Sequence, residues 1–202
     1  MYEIRQKKTD IIYAVSAWIL EMAALYGVGY AATHHIPQPV GYITIVYVLC
    51  VVFVLLKERS FKVLGFGTEK IKRNAPIALA IVLISFVIRV IMDDKSVVEL
   101  IPKAINMLIF TAFREEILFR GIMQNYLMVS SKKKVISYIV GGLFFATSHI
   151  PLYSLNQPGI PLWLQLTFAF AGHFIFVAIA RWRKDLTIPA ALHFFMDFVL
   201  SA

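Results

Sequence analysis

Along the chain, apolar residues gather into long runs separated by short polar connections. Seven runs can be marked: roughly Ile11–Ala32, Val40–Leu56, Ala75–Met92, Ile101–Val129, Val135–His149, Leu162–Arg181 and Leu186–Ala202. About 20 apolar residues wound as a helix cross the ~30 Å hydrocarbon core of a bilayer. The pattern therefore predicts an all-α polytopic membrane helix bundle of about seven transmembrane helices. The fourth run is long enough to tilt or to extend beyond the bilayer. The fifth and seventh are short, and Pro151 and Pro189 are expected to mark ends or kinks. Seven spans use most of the 202 residues, so the chain reads as a single membrane domain, 1–202, with no separate soluble domain.

The polar connections alternate in charge. Arg5, Lys7 and Lys8 precede the first run, and Lys57, Arg59, Lys62, Lys70, Lys72 and Arg73 follow the second. Lys132, Lys133 and Lys134 follow the fourth, and Arg181, Arg183 and Lys184 follow the sixth. Fifteen of the twenty Lys and Arg residues thus fall on one side, against Lys95 and Lys103 on the other. The positive-inside rule then places the N-terminus in the cytoplasm and the C-terminus outside. The formal charge of +8 has the same explanation and gives no reason to invoke nucleic acid. The stretch Val63–Gly67 reads as an amphipathic segment lying in the interface. Cys50, the single cysteine, excludes an intramolecular disulfide and reads as a packing residue. No cleavable signal peptide is apparent, so the first helix is expected to be a retained anchor. Hydrophobic residues make up 59% of the chain and charged ones only 16%, which fits lipid, and a cell membrane, as the surroundings.

Against that background the ionisable residues inside the runs stand out. A charged side chain at the centre of a spanning helix costs roughly 2.5–3.5 kcal/mol. Glu115, Glu116, Arg120 and Asp197 would together cost on the order of 10 kcal/mol if they faced lipid unpaired. They should instead face the bundle interior, where such residues mark function. In the fourth run Glu116 and Arg120 are four apart and lie on one face of an α-helix. Glu115 lies roughly 140° around the helix from Arg120, without a close cation, and is left as the candidate general base. Phe145 and His149 sit one turn apart at the end of the fifth run, and His193 and Asp197 one turn apart in the seventh. Depths counted along the helices let Glu115, His149, His193 and Asp197 meet between the bilayer midplane and the cytoplasmic leaflet.

These three motifs, Glu115-Glu116…Arg120, Phe145…His149 and His193…Asp197, stand in the order found in the CAAX protease and bacteriocin-processing family, which includes the Ras-converting enzyme. From about Ile101 onward the chain resembles that family, and the first three spans match only in general character. The resemblance implies peripheral helices over 1–100, a catalytic core over 101–202, and hydrolysis of a peptide bond in a membrane-associated or lipidated, CAAX-like peptide or protein. It implies that Glu115 and His149 activate water and that His193 with Asp197 supports the oxyanion, with Glu116, Arg120 and Phe145 supporting. Asp197 stands where the Ras-converting enzyme has asparagine; an ionised carboxylate cannot donate to an oxyanion, so Asp197 must be protonated or act by orienting His193. No cofactor is favoured. Zinc is the alternative, with Glu115, His149 and His193 as its ligands, although no His-Glu-x-x-His helix is present.

Other readings stay open at this level. Intramembrane Glu, His and Asp also build proton relays in transporters, and a non-catalytic member could act in bacteriocin self-immunity. Outside the motifs, His173 reads as an interior histidine without chemistry, and His34 and His35 as solvated loop residues. Glu21 and Arg89 are candidates for a helix–helix contact or a cavity wall. Gly141-Gly142 and the Ala169–Gly172 region read as close-packing surfaces.

Overall fold

The computed structural model describes residues 10–34, 39–130, 133–151, 153 and 159–200. Arg5, Lys7, Lys8, His35 and Lys132 lie outside the described residues. Within them every regular element is helical. Eight α-helices follow in order: α1 Asp10–Thr33, α2 Pro39–Glu58, α3 Thr68–Met92, α4 Val97–Asn106, α5 Gln124–Ser130, α6 Lys134–Ser148, α7 Leu162–Arg183 and α8 Thr187–Leu200. A 3₁₀ turn, Phe61–Leu64, joins α2 to α3, and two wide-turn π segments, Met107–Phe113 and Glu116–Met123, connect α4 to α5.

Local chemistry accounts for the ends that matter. Helix α4 opens on a capping box: the Glu99 amide donates to Ser96 Oγ at 3.4 Å, and the Ser96 amide donates to Glu99 Oε2 at 2.9 Å. The burial-free Glu99 carboxyl is held below its ordinary range by those Ser96 hydrogen bonds. At the other end of the core, Lys184 closes α7 with φ of 55°, and Asp185 Oδ1 accepts the Thr187 amide at 2.8 Å. Pro189 falls in the first turn of α8, where its missing N–H is one the helix leaves unpaired anyway. It therefore starts the helix and does not kink it. Helix α6 ends at Ser148, ahead of Pro151.

The fourth run departs from the regular α-helix expected over Ile101–Val129. At its close the Gln124 amide donates to the carbonyl of Phe119, five residues back, the signature of a π turn. Faces counted at ~100° per residue no longer apply there.

Polar groups are inside and apolar ones outside. Arg120, Glu116, Gln124 and His173 are fully buried, while Leu49, Ile91 and Trp182 are 63%, 79% and 76% exposed. Water would penalise that distribution; lipid favours it. Among the described residues three helices are long and apolar enough to cross a bilayer: Asp10–Ala31, Lys70–Met92 and Leu162–Arg183. Lys134–Ser148 and Thr187–Leu200 are apolar but shorter.

Helix α3 packs along α8, α1 along α2, and α6 along α7. A methyl group on Gly141 would run into Gln124 and His173, and one on Gly142 would lie 2.9 Å from Phe170, so this pair is a close-packing surface. Gly172 is not, since its nearest side chain is Phe176 at 3.9 Å on its own helix. The Val63–Gly67 stretch also differs from expectation. Val63 and Leu64 are buried, Gly65 adopts φ of 88° against Leu186, and Asn125 Nδ2 donates to Val63 O at 3.3 Å. The turn is held by Asn125 of α5, by Gly121 of the second π segment and by Leu186 just before α8, while Phe61 stays exposed.

That clamp gathers the basic connections at one end of the bundle. Lys57 Nζ lies 3.3 Å from Tyr126 Oη, and Arg183 Nε donates to Asn74 Oδ1 at 3.1 Å.

Candidate active site

Both glutamates of the fourth run are buried in the interior. Glu116 Oε1 lies 3.0 Å from Arg120 Nη1, the pair that the i, i+4 spacing predicts. The Arg120 guanidinium stacks 3.9 Å above the Phe145 ring and 5.3 Å from that of Phe176. These contacts replace some of the water that a buried cation forgoes. Glu116 does more than neutralise Arg120, however. The same oxygen accepts a hydrogen bond from His193 Nδ1 at 2.9 Å. The i, i+4 spacing assigns Glu116 to Arg120 alone, whereas both consecutive carboxylates reach His193, Glu116 at Nδ1 and Glu115 toward Nε2.

Glu115 presents its two oxygens to different neighbours. Oε1 accepts from Arg114 Nη2 at 3.0 Å. Oε2 is buried without a hydrogen-bond partner among the described residues, and lies 3.9 Å from His149 Nε2 and 3.7 Å from His193 Nε2. The expectation that Glu115 has no close cation is thereby corrected. Arg114 precedes it in sequence, and neighbours in a regular helix point about 100° apart, so spacing alone does not pair them.

The two imidazoles are oriented from behind. His149 Nδ1 lies 2.8 Å from the carbonyl of Phe145, which can only accept, so Nδ1 carries the proton and Nε2 points at Glu115. For His193 the acceptor is the Glu116 carboxylate, and its Nε2 faces both Glu115 and, at 3.4 Å, Asp197 Oδ2. Phe145 sits edge-on to both rings, with centroids 4.7 Å from His149 and 6.1 Å from His193. Three parts of the chain thus bring Glu115, His149, His193 and Asp197 together: the junction between the two π segments, the end of α6 and the second half of α8. Access is graded, the side chains being 8% exposed for Glu115, 16% for His149 and 33% for Asp197.

The remaining flagged residues fall elsewhere. Glu21, midway along α1, forms an ion pair with Arg114. Arg89 pairs with Asp93 at 2.8 Å and donates to Phe198 O at 3.3 Å, joining α3 to α8. His173 contacts Gln124 Oε1 at 3.2 Å and lies outside the carboxylate cluster. His34 is exposed, its Nδ1 2.9 Å from the carbonyl of Tyr30.

A zinc ion would draw on Glu115 Oε2 and the two Nε2 atoms. Tetrahedral ligands at ~2.0–2.1 Å stand about 3.3–3.4 Å apart. The separations of 3.7 and 3.9 Å are wider, and no three His, Cys, Asp or Glu side chains among the described residues close to a metal-holding group. A zinc ion there would need the three side chains to draw together by about 0.5 Å.

No solved structure matches the chain. It is similar to the uncharacterized protein YpbD of Bacillus subtilis (strain 168), with 29% identity over 101 residues, 50% of this chain and 45% of that protein. The chain therefore spans less than half the length of that relative. A family model described as type II CAAX prenyl endopeptidase Rce1-like matches residues 97–199, an interval that holds all three motifs and every residue of the carboxylate–histidine cluster. The chain belongs to this Rce1-like family of CAAX-type membrane proteases.

Proposed function

We propose that the chain hydrolyses a peptide bond in a membrane-associated or lipidated, CAAX-like peptide, with Glu115 and His149 activating water and His193 stabilising the oxyanion. The observation that carries this reading is Glu115 Oε2: a buried carboxylate oxygen with no hydrogen-bond partner among the described residues, flanked by two imidazole Nε2 atoms. Such an oxygen asks for an explanation. A water about 2.8 Å from both Glu115 Oε2 and His149 Nε2 would see them at an angle of roughly 90°, an ordinary hydrogen-bonded position.

In the reaction the water oxygen attacks the substrate carbonyl carbon while its proton passes to Glu115 or His149. The carbonyl oxygen becomes an oxyanion. His193, protonated at Nε2 as well as Nδ1, donates to it, with Glu116 holding Nδ1 and Asp197 orienting the ring. Collapse breaks the C–N bond, and the proton held by the base moves to the departing amine. Lipid around the helices excludes bulk water, so nucleophile and base must both be held by the protein. The mechanism is of the glutamate type.

The same reading includes seven spans in a cell membrane, a cytoplasmic N-terminus, peripheral helices over 1–100 and a catalytic core over 101–202. The basic connections gathered at one end of the bundle support it. Cysteine labelling at Lys133 tests the topology: reaction with an impermeant reagent from outside the cell would end it. Cleavage of a prenylated peptide in liposomes tests the chemistry. Glu115→Gln should lower kcat by ~10²–10⁴-fold with the protein still folded; a fully active Glu115→Gln would overturn the assignment.

A further inference from the structure

Helix α1 lies outside the interval matched to the family, yet it inserts a carboxylate beside the site. Glu21 is 1% exposed and pairs with Arg114 Nη1. The other two faces of that guanidinium are also committed: Nε donates to Phe110 O at 2.8 Å, and Nη2 to Glu115 Oε1 at 3.0 Å. The guanidinium is therefore fixed in position and rotation by partners on two helices. Near Glu21 on α1, Trp18 Nε1 donates to Thr147 Oγ1 at 3.2 Å and stacks on Phe144 at 4.9 Å. This seats α1 against α6, the helix that ends at His149.

We propose that Glu21 is a positioning residue for hydrolysis, acting through Arg114 on Glu115. Two carboxylates share one buried cation. Because Glu21 occupies Nη1, Arg114 can engage only Oε1 of Glu115, and Oε2 stays directed at the imidazoles. Without Glu21 the same guanidinium, short of one anion, would take both Glu115 oxygens in a bidentate fork. The oxygen needed for water would be withdrawn. The peripheral first helix thus sets the catalytic geometry as well as covering it.

This inference rests on Glu115 being the base, and the experiment separates the two claims. The measurement is cleavage of a prenylated peptide in liposomes by wild type, Glu115→Gln, Glu21→Gln, Arg114→Gln and the double variant, with unfolding midpoints in detergent. Glu21→Gln is expected to lower kcat about 10- to 100-fold, the scale of a small misplacement, with KM unchanged. A residue that only docks α1 would instead lower the midpoint and leave the kcat of folded protein intact. The double variant should match Arg114→Gln alone within about 2- to 3-fold, because the two act in series. Wild-type kcat in folded Glu21→Gln, or losses that multiply in the double variant, would overturn the proposal. Should Glu21→Gln fail to fold, Glu21→Asp keeps the charge and shortens its reach, and kcat must again fall at constant KM. An active Glu115→Gln sinks the proposed function itself; a dead Glu115→Gln beside a fully active Glu21→Gln sinks only this inference.

Discussion

Phe145 lies against two sets of interior histidines that are built differently. On one side of the comparison His149 and His193 face Glu115, Glu116 and Asp197, and the cluster is partly open through His149 and Asp197. On the other, His173 lies 6.0 Å from the same ring, fully buried, with the neutral Gln124 amide at 3.2 Å. Gln124 continues to Ser137 O at 3.2 Å, and the chain of contacts ends on backbone. Both groups leave a buried polar atom without a hydrogen-bond partner among the described residues, Glu115 Oε2 in the first and His173 Nδ1 in the second. In the first, protons have carboxylates to move between, and His149 and Asp197 are partly exposed. Burial of a histidine is therefore not the mark of this site; an ionised partner from another helix and an opening are.

The sharpest way to break the comparison is to remove each histidine in turn. His149→Ala should cost ~10²–10⁴-fold in kcat as part of the base, and His193→Ala ~10²–10³-fold as an oxyanion donor. Unfolding midpoints close to wild type would show that chemistry, not folding, was lost. Next in size is Glu116→Gln, which leaves Arg120 buried beside a neutral amide. A loss of ~3–5 kcal/mol in unfolding free energy is expected for a broken buried pair, together with a lower kcat because His193 loses its acceptor. Denaturant titration of the detergent-solubilised protein, beside cleavage rates, reads both.

His173→Asn belongs at the small end. It should lower stability by ~1–3 kcal/mol, the cost of an unpaired buried Gln124, and change kcat by less than about 3-fold. A loss as large as that of His193→Ala would place His173 in the chemistry and erase the distinction between the two groups. Smallest of all should be the effect of a zinc chelator on cleavage, for which no change is expected. Activity that vanished with chelator and returned with zinc would recast Glu115, His149 and His193 as ligands.

How far the site could be read beforehand depended on how local each contact is. Glu116 with Arg120 and His193 with Asp197 are one turn apart in sequence, and both pairs are present at 3.0 and 3.4 Å. Helix boundaries were similarly legible: Pro151 lies beyond the end of α6, and Pro189 lies in the first turn of α8. Contacts between distant residues were not. Glu21 and Arg114 are 93 positions apart, Glu116 and His193 77 apart, and nothing in hydropathy or spacing pairs them. Glu21 could have been weighted more heavily on one signal: a carboxylate in a spanning helix with no cation one turn away must find its partner on another helix.

The amino-acid sequence by itself determined the environment and the inventory. Long apolar runs select helices because lipid leaves backbone amides no partner but one another, and the few ionisable residues within them had to turn inward. Only the tertiary structure decided which of those groups meet. The packing of α8 set the His193 ring between two successive glutamates, its Nδ1 on Glu116 and its Nε2 toward Glu115, so that side chains diverging from one helix meet a single imidazole. The packing of α1 brought Glu21 to Arg114, so that one guanidinium holds one oxygen of Glu115 and leaves the other facing the histidines. Such choices depend on helix rotation and approach, which are fixed by the sum of many side-chain contacts across the bundle and by no single stretch of the chain.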